Sequence, residues 1–240
     1  MTSVLSLGGS IVAPDKVDVS FVKEFAALIE ELLDGDAERR FIIVTGGGSP
    51  ARVWQNAYRA VSGGACGANG ACGANGVCDP EAADRIGIAA TRLNAELIHA
   101  VFARWVAEPV ATDPSAAEHF SGRVLVGCGW KPGFSSDYDA ALLASRFGAD
   151  TVVNLSNIAQ VYTADPKEDP AARPIEKISW PDFRKIVGDE WTPGKNVPFD
   201  PVASAFAEKQ GLKVICASGR DLPNVRNILQ GKAFFGTTIG

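Results

Sequence analysis

The chain has no run of uncharged apolar residues approaching the roughly 20 needed to cross a bilayer, so no membrane partner is expected. Positive charge is scarce too: 23 Lys and Arg stand against 28 Asp and Glu, a formal net charge of −5 in 240 residues. That balance excludes bulk neutralisation of a nucleic-acid backbone, so a phosphate ligand has to be held by a local site and small anions are the expected partners. Met1-Thr2-Ser3-Val4-Leu5 runs straight into a strand-like segment with no basic stretch before it, and a cytoplasmic location is expected. Five cysteines, an odd number, give no disulfide framework, and none has the C-x-x-C spacing of zinc and redox sites. Cys128 and Cys216, in apolar surroundings, read as core thiols. What is present, 46% apolar, 21% charged and 8% aromatic residues, is the composition of a globular, enzyme-sized chain that is neither disordered nor fibrous.

Short apolar, β-branched runs alternate with helical periodicity, the pattern of crossover connections and a parallel sheet. Strands are predicted at Val4–Leu7, Phe41–Thr45, Arg123–Val126, Thr151–Leu155 and Lys213–Cys216. Phe21, Phe25, Leu28, Ile29, Leu32 and Leu33 recur at helical spacing, with Asp18 or Ser20 as N-cap. Further helices fit 80–105, 137–147 and 200–210. The expected fold is α/β, a three-layer αβα sandwich around a mainly parallel sheet.

One segment breaks the rhythm. Within 62–79, Ala65-Cys66-Gly67-Ala68-Asn69-Gly70 is repeated at once as Ala71-Cys72-Gly73-Ala74-Asn75-Gly76. Cys66, Cys72 and Cys78 suggest a soft metal, but the recurring glycines make a preformed site entropically costly, and a surface loop is expected with no resident metal. A turn-rich stretch, 163–173, carries Asp165-Pro166 and Asp169-Pro170. It suggests an N-terminal lobe, 1–150, and a C-terminal lobe, 151–240, with one sheet able to continue through both.

Three glycine-rich turns each follow a strand and precede a helix: Gly8-Gly9-Ser10, Gly46-Gly47-Gly48, and Gly127-Cys128-Gly129-Trp130-Lys131-Pro132-Gly133. Their free N–H groups and helix dipoles would converge on one sheet edge, where open α/β sheets bind ligands, and make an anion site. Neither G-x-x-x-x-G-K-[ST] nor G-x-G-x-x-G in a dinucleotide context occurs, which argues against a P-loop NTPase and a Rossmann dehydrogenase. His99 and His119 are not placed as bases, and no nucleophile has an adjacent base. Direct in-line transfer is the expected chemistry.

Strand-GGS, strand-GGG-x-x-AR, Asp84-x-x-Gly87-x-x-x-Thr91-x-x-Asn94, Pro132-Gly133-Phe134-Ser135-Ser136-Asp137, Asn157-x-x-x-Val161-Tyr162-Thr163-Ala164-Asp165-Pro166 and Gly236-Thr237-Thr238-Ile239 occur in this order. Together they resemble the amino acid kinase superfamily and, in spacing, its archaeal-type UMP kinases. The resemblance spans nearly the whole chain outside the cysteine-rich insert. It implies a homohexameric nucleoside monophosphate kinase using ATP with Mg²⁺, with the acceptor in the N-terminal part and ATP in the C-terminal part.

By position, the resemblance puts Gly9, Ser10, Gly48 and Arg52 at the donor phosphates and Ser156, Asn157, Tyr162 and Asp165 around the adenosine. It puts Gly47, Asp84, Trp130, Lys131, Pro132, Gly133, Phe134, Ser135 and Ser136 around UMP. Asp137 would orient a lysine or Mg²⁺ near the transferring group. Each has a plain alternative: Arg52 in a surface ion pair, Asp84 or Asp137 as a helix N-cap, Tyr162 as a core aromatic, Asp165-Pro166 as a turn.

The chain departs from the resemblance where charge matters. Lysines common in relatives two residues before the first glycine pair and directly after the triple glycine are Ser6 and Ser49 here, and an Asp-Gly is Ala159-Gln160. Lys131 and Lys195 are substitute cations, Lys195 the better placed. Phosphorylation of UMP is the expected activity. A kinase making an acyl phosphate or using another phosphate monoester, and a binding or storage protein that has lost turnover, remain alternatives.

Overall fold

The computed structural model of the chain describes residues 2–62, 79–166, 169–188 and 197–240. Along the chain run β1 (Thr2–Leu7), α1 (Gly9–Val12), α2 (Val19–Gly35), β2 (Arg40–Thr45), α3 (Gly48–Val61) and α4 (Pro80–Val101). Then come β3 (Val124–Gly127), α5 (Ser136–Arg146), β4 (Thr151–Ser156), β5 (Val161–Tyr162), β6 (Pro174–Ile175) and β7 (Lys177–Ile178). The last elements are α6 (Trp180–Val187), α7 (Pro201–Gln210), β8 (Lys213–Ser218), α8 (Leu222–Leu229) and β9 (Thr237–Ile239).

Seven strands form one sheet in the order β3-β2-β1-β4-β8-β9-β7. All neighbouring pairs are parallel except β8 with β9. Alternate residues of each central strand enter different layers, because a strand's side chains point to opposite faces in turn. Leu5, Leu7, Phe41, Ile43, Val153 and Leu155 pack under α2, α4 and α8. Val4, Ile42, Val44, Val152 and Val214 pack under α5, α6 and α7. Burial on both faces explains why these strands read as continuous apolar runs rather than alternating ones. The three-layer αβα sandwich with a mainly parallel sheet is thus present, and strands from both halves of the chain share it.

Asp18 rather than Ser20 caps α2, its carboxylate accepting the Phe21 N–H at 3.0 Å. The helix expected to Trp105 stops at Val101. The chain has to leave the helix there because the Trp105 carbonyl accepts the N–H groups of Arg123 and Val124, at 2.7 and 3.0 Å, as β3 begins. Within the turn-rich stretch, Thr163 N–H donates to Arg173 O at 3.0 Å, continuing the antiparallel β5–β6 ladder. The insert cysteines Cys66, Cys72 and Cys78 lie outside the described residues. Cys128 and Cys216 are buried thiols, and burial pushes Cys128 up to about 11 and Cys216 higher.

The sheet order fixes where a ligand can sit. Successive strands step away from β1 on one side as β2 and β3, and on the other as β4 and β8. The crevice at the carboxyl ends of β1 and β4 is the point where that order reverses.

Candidate functional site

The first two glycine turns touch backbone to backbone. A Cβ built on Gly9 would lie 2.2 Å from Gly48 N and 2.4 Å from Gly46 O. One on Gly48, whose φ is +66°, would lie 2.3 Å from Gly9 O. Only glycine allows this approach at either position. Gly8 N–H donates to Leu155 O (2.8 Å) and Gly46 N–H to Leu7 O (3.0 Å), so the turns are tied to β4 and β1.

The third turn joins through α4. Asn94 Nδ2 donates to Gly46 O (2.8 Å), Gly129 N–H donates to Thr91 Oγ1 (2.8 Å), and Thr45 Oγ1 donates to Thr91 O (3.0 Å). Thr91 and Asn94, three apart on one helical face, are the staples that make the turns converge. Their spacing after Gly87 was the readable signal for this.

Between the turns lies a cavity of about 280 Å³ whose walls include Gly47, Gly48, Arg52, Asp84, Ser135 and Ser136. Arg52 is the only cationic residue among the described residues lining it, and it projects from the first turns of α3, where the helix dipole also favours an anion. Asp84 is not the cap of α4: Asp79 is, accepting the Glu81 N–H at 2.9 Å. The helix begins earlier than Asp84 because Pro80 occupies its first position, a residue suited to that place. Asp84 is thereby carried into the helix body, where it is half-buried and its Oδ2 accepts the Gly133 N–H at 3.1 Å. Burial raises its carboxyl above the usual range, with the Gly133 N–H opposing.

Asp137 is likewise not a cap. Ser135 caps α5, its hydroxyl oxygen accepting the Tyr138 N–H at 3.3 Å, which frees the Asp137 carboxyl to face the sheet. Asp137 Oδ1 accepts from Ser6 Oγ (2.9 Å) and Oδ2 from the Asp200 N–H (3.2 Å). Withdrawal from solvent pushes Asp137 up to about 6; the Asp200 carboxyl adds to the rise, and the Ser6 hydroxyl and Asp200 N–H oppose it. Ser6, read in the sequence as a missing positive charge, is therefore the hydroxyl that holds Asp137 across β1.

Sequence reasoning missed two buried carboxyls beside it. Asp200 caps α7 through the Ala203 N–H (2.7 Å), and its Oδ2 has no hydrogen-bond partner among the described residues. Asp139, 0% exposed, accepts the Trp130 N–H at Oδ2 (3.1 Å), while its Oδ1 has no partner among them. Burial raises both, Asp139 to about 8. An Asp two residues after Asp137 in an otherwise alanine- and leucine-rich helix was the available signal.

Of the third-turn residues, Phe134, Ser135 and Ser136 line the cavity, whereas Trp130, Lys131, Pro132 and Gly133 lie outside that lining. Lys131 Nζ sits 3.7 Å from the centre of the Trp130 ring and 5.2 Å from that of Phe134, a cation–π position directed at its own loop. Lys195 lies outside the described residues. Gly9 and Ser10 open the short α1 at the mouth of the crevice. His99 ends α4, its Nε2 2.9 Å from Glu108 O, away from these groups.

Ser156 and Asn157 follow β4, and Tyr162 and Asp165 belong to the β5 arm beyond it. Where an Asp-Gly was expected, Gln160 is buried and its amide donates to Gly236 O at 3.0 Å, beside a Val161 N–H to Thr237 Oγ1 bond of 2.9 Å. The Gly236-Thr237 motif is thus the strut of this arm, and Ala159-Gln160 supplies the tie with a side chain. Among the described residues no group of three or more His, Cys, Asp or Glu is arranged to hold a metal ion, and no helix is long and apolar enough to cross a membrane.

A model of the Amino acid kinase family matches residues 1–218. Uridylate kinase of Methanospirillum hungatei is 32% identical over 243 aligned positions, covering 99% of this chain and 94% of the relative. Uridylate kinase of Archaeoglobus fulgidus is 34% identical over 242 positions, covering all of both chains. The crystal structure of the Archaeoglobus fulgidus uridylate kinase superposes with a TM-score of 0.79 at 33% identity, covering 100% of each chain. UMP kinase from Bacillus anthracis, at 18% identity and a TM-score of 0.75, covering 100% of this chain and 95% of that one, shares the fold.

Proposed function

The chain belongs to the amino acid kinase family, and from that premise we propose that it transfers the γ-phosphoryl group of Mg·ATP to UMP, giving ADP and UDP. The observation that carries this reading is the joining of three glycine turns at the sheet's carboxyl edge, the second and third of them walling one cavity together with Arg52 and Asp84. Relatives named uridylate kinase over the whole chain support UMP as acceptor.

In this reading an oxygen of the UMP phosphate attacks the γ-phosphorus in line. The P–O bond to ADP breaks as the new one forms, and positioning with electrostatic stabilisation supplies the catalysis. The N–H groups of Gly9, Ser10 and Gly48, with Arg52, hold the donor phosphates. Gly47, Asp84 and the cavity-lining residues 134–136 hold UMP, Asp84 accepting from its ribose hydroxyls, while residues 130–133 form the loop that carries that wall. Ser156, Asn157, Tyr162 and Asp165 frame the adenosine. Asp137 fixes the centre through Ser6 and the start of α7, and Lys195 is the proposed second cation. Mg²⁺ enters with ATP as part of the substrate and would neutralise charge on the phosphates. A homohexamer, checkable by solution mass, acting in cytoplasmic pyrimidine nucleotide synthesis, completes the proposal.

The test is ADP release in a coupled assay with Mg·ATP and a panel of nucleoside monophosphates. UMP should be the best acceptor; absence of transfer to any of them above the acceptor-free rate would overturn the reading, and tight binding without turnover would make the chain a nucleotide-binding protein instead. Arg52→Ala should lower kcat/KM by about 10- to 100-fold, the worth of a charge-assisted hydrogen bond to phosphate. Arg52→Lys should recover only part of that, lacking the bidentate fork.

A further inference from the structure

Asp139 has no task in the mechanism above, yet it is a fully buried carboxyl beside the site. It lies on the core side of α5, followed by Ala140 and Ala141 and packed with the fully enclosed layer beneath the sheet. An apolar side chain would suit the fold there, since a buried carboxyl destabilises unless its oxygens are hydrogen-bonded. Only one of its oxygens is. Oδ2 accepts the Trp130 N–H at 3.1 Å, and Oδ1 has no partner among the described residues.

That single bond spans the base of a loop. Trp130 starts the segment leading from β3 to α5, and Asp139 lies in the first turns of the helix where it ends. Between them the loop is braced by Phe134 N–H to Lys131 O (3.3 Å) and Gly133 N–H to Asp84 (3.1 Å). Tilted ring contacts run from Trp130 to Phe134 (centroids 5.3 Å apart) and from Phe134 to Tyr138 (4.6 Å). Phe134, Ser135 and Ser136, at the end of this closed segment, form one wall of the cavity. Cutting the bond at its base would free the wall without touching the glycine turns of β1 and β2.

We propose that Asp139 is a positioning residue of the acceptor site: by holding the Trp130 N–H from inside α5 it closes the loop and sets the wall against which the acceptor nucleotide lies. This deepens the reading of the cavity as a UMP site and rests on it. The role is selective. The donor phosphates are held by the first two turns, which Asp139 does not touch, so its loss should be felt by UMP and not by ATP.

The experiment compares the full-length wild type with D139A, D139N and D139V by two measurements: KM for UMP and for Mg·ATP, and hydrogen exchange of the Trp130 amide. D139A should raise KM for UMP at least tenfold, leave KM for ATP within twofold, and speed exchange of the Trp130 amide at least tenfold. D139N, which keeps an acceptor oxygen at the same reach, should restore both to within about threefold. If D139A does not fold, D139V, which fills the space with apolar atoms, takes its place with the same expectations. Unchanged Trp130 exchange, equal rises in both KM values, or D139N as impaired as D139A would each overturn the proposal. If the wild type neither binds nor phosphorylates UMP, the functional reading fails instead; Trp130 exchange then decides the loop-closing role alone, faster exchange supporting it and equal exchange overturning it.

Discussion

Asp137→Asn should reduce kcat on the order of 10²- to 10³-fold, the range found when one preorganised electrostatic group is removed from a reaction centre, while the KM values for UMP and ATP stay within about threefold. The substitution isolates charge from shape. Asp137 takes hydrogen bonds from the Ser6 hydroxyl and from the Asp200 N–H. An amide keeps one acceptor oxygen for the N–H, and the Ser6 hydroxyl can turn to accept from the amide's NH₂, so the anchoring survives and the negative charge does not.

The same residue gives a pH signature. Its carboxyl is raised to about 6 by burial and by the neighbouring Asp200, so it is ionised above that value and protonated below it. If the ionised form is the working one, wild-type kcat should fall as pH drops through about 6, and the remaining activity of the Asn variant should not fall there. Measuring kcat from pH 5 to 8 for both proteins checks this. An Asn variant within tenfold of wild type, or one with the same acid limb, would remove Asp137 from the reaction centre.

Gly9→Ala should both unfold the protein earlier and abolish transfer. The added carbon would stand 2.2 Å from Gly48 N and 2.4 Å from Gly46 O, backbone atoms that cannot rotate aside as a side chain would. Overpacking of this kind costs about 1–3 kcal/mol, occasionally more. At roughly 2–4 °C per kcal/mol for a domain of this size, a melting temperature lower by about 5–10 °C is expected, together with loss of nucleotide-dependent stabilisation. Gly35→Ala is the control. Nothing lies within 4 Å of the carbon it adds at the end of α2, so its melting temperature should be unchanged or slightly higher. Equal behaviour of the two variants in calorimetry would show that the turns are not locked together.

Much of this was legible in the sequence because it depends on neighbours along the chain. The five long strands are apolar on both faces, so their runs stand out; α2 carries its period and its Asp18 cap within a few residues of each other. The three glycine turns announced that the strand ends meet at one edge, and the motif order announced the family. The short strands β5, β6, β7 and β9 were not legible, since two or three residues carry no period and are held only by distant partners such as the Thr237 hydroxyl. The N-cap readings left open for Asp84 and Asp137 fall away because Asp79 and Ser135 fill those places, which depends on where each helix starts and not on the Asp itself. The pairing of Gly9 with Gly48, and of Ser6 with Asp137 across 131 positions, exists only once the sheet has brought β1 between its two neighbours.

The central place of β1 also constrains how the enzyme can move. Its backbone is zipped to β2 over Thr2–Leu7 and to β4 over Val4–Leu7, so strands from the first and second halves of the chain are welded into a single plate. Opening them like jaws would break the β1–β4 ladder. Any tightening of the gap between two bound nucleotides must then come from parts that ride on the plate rather than from the plate itself.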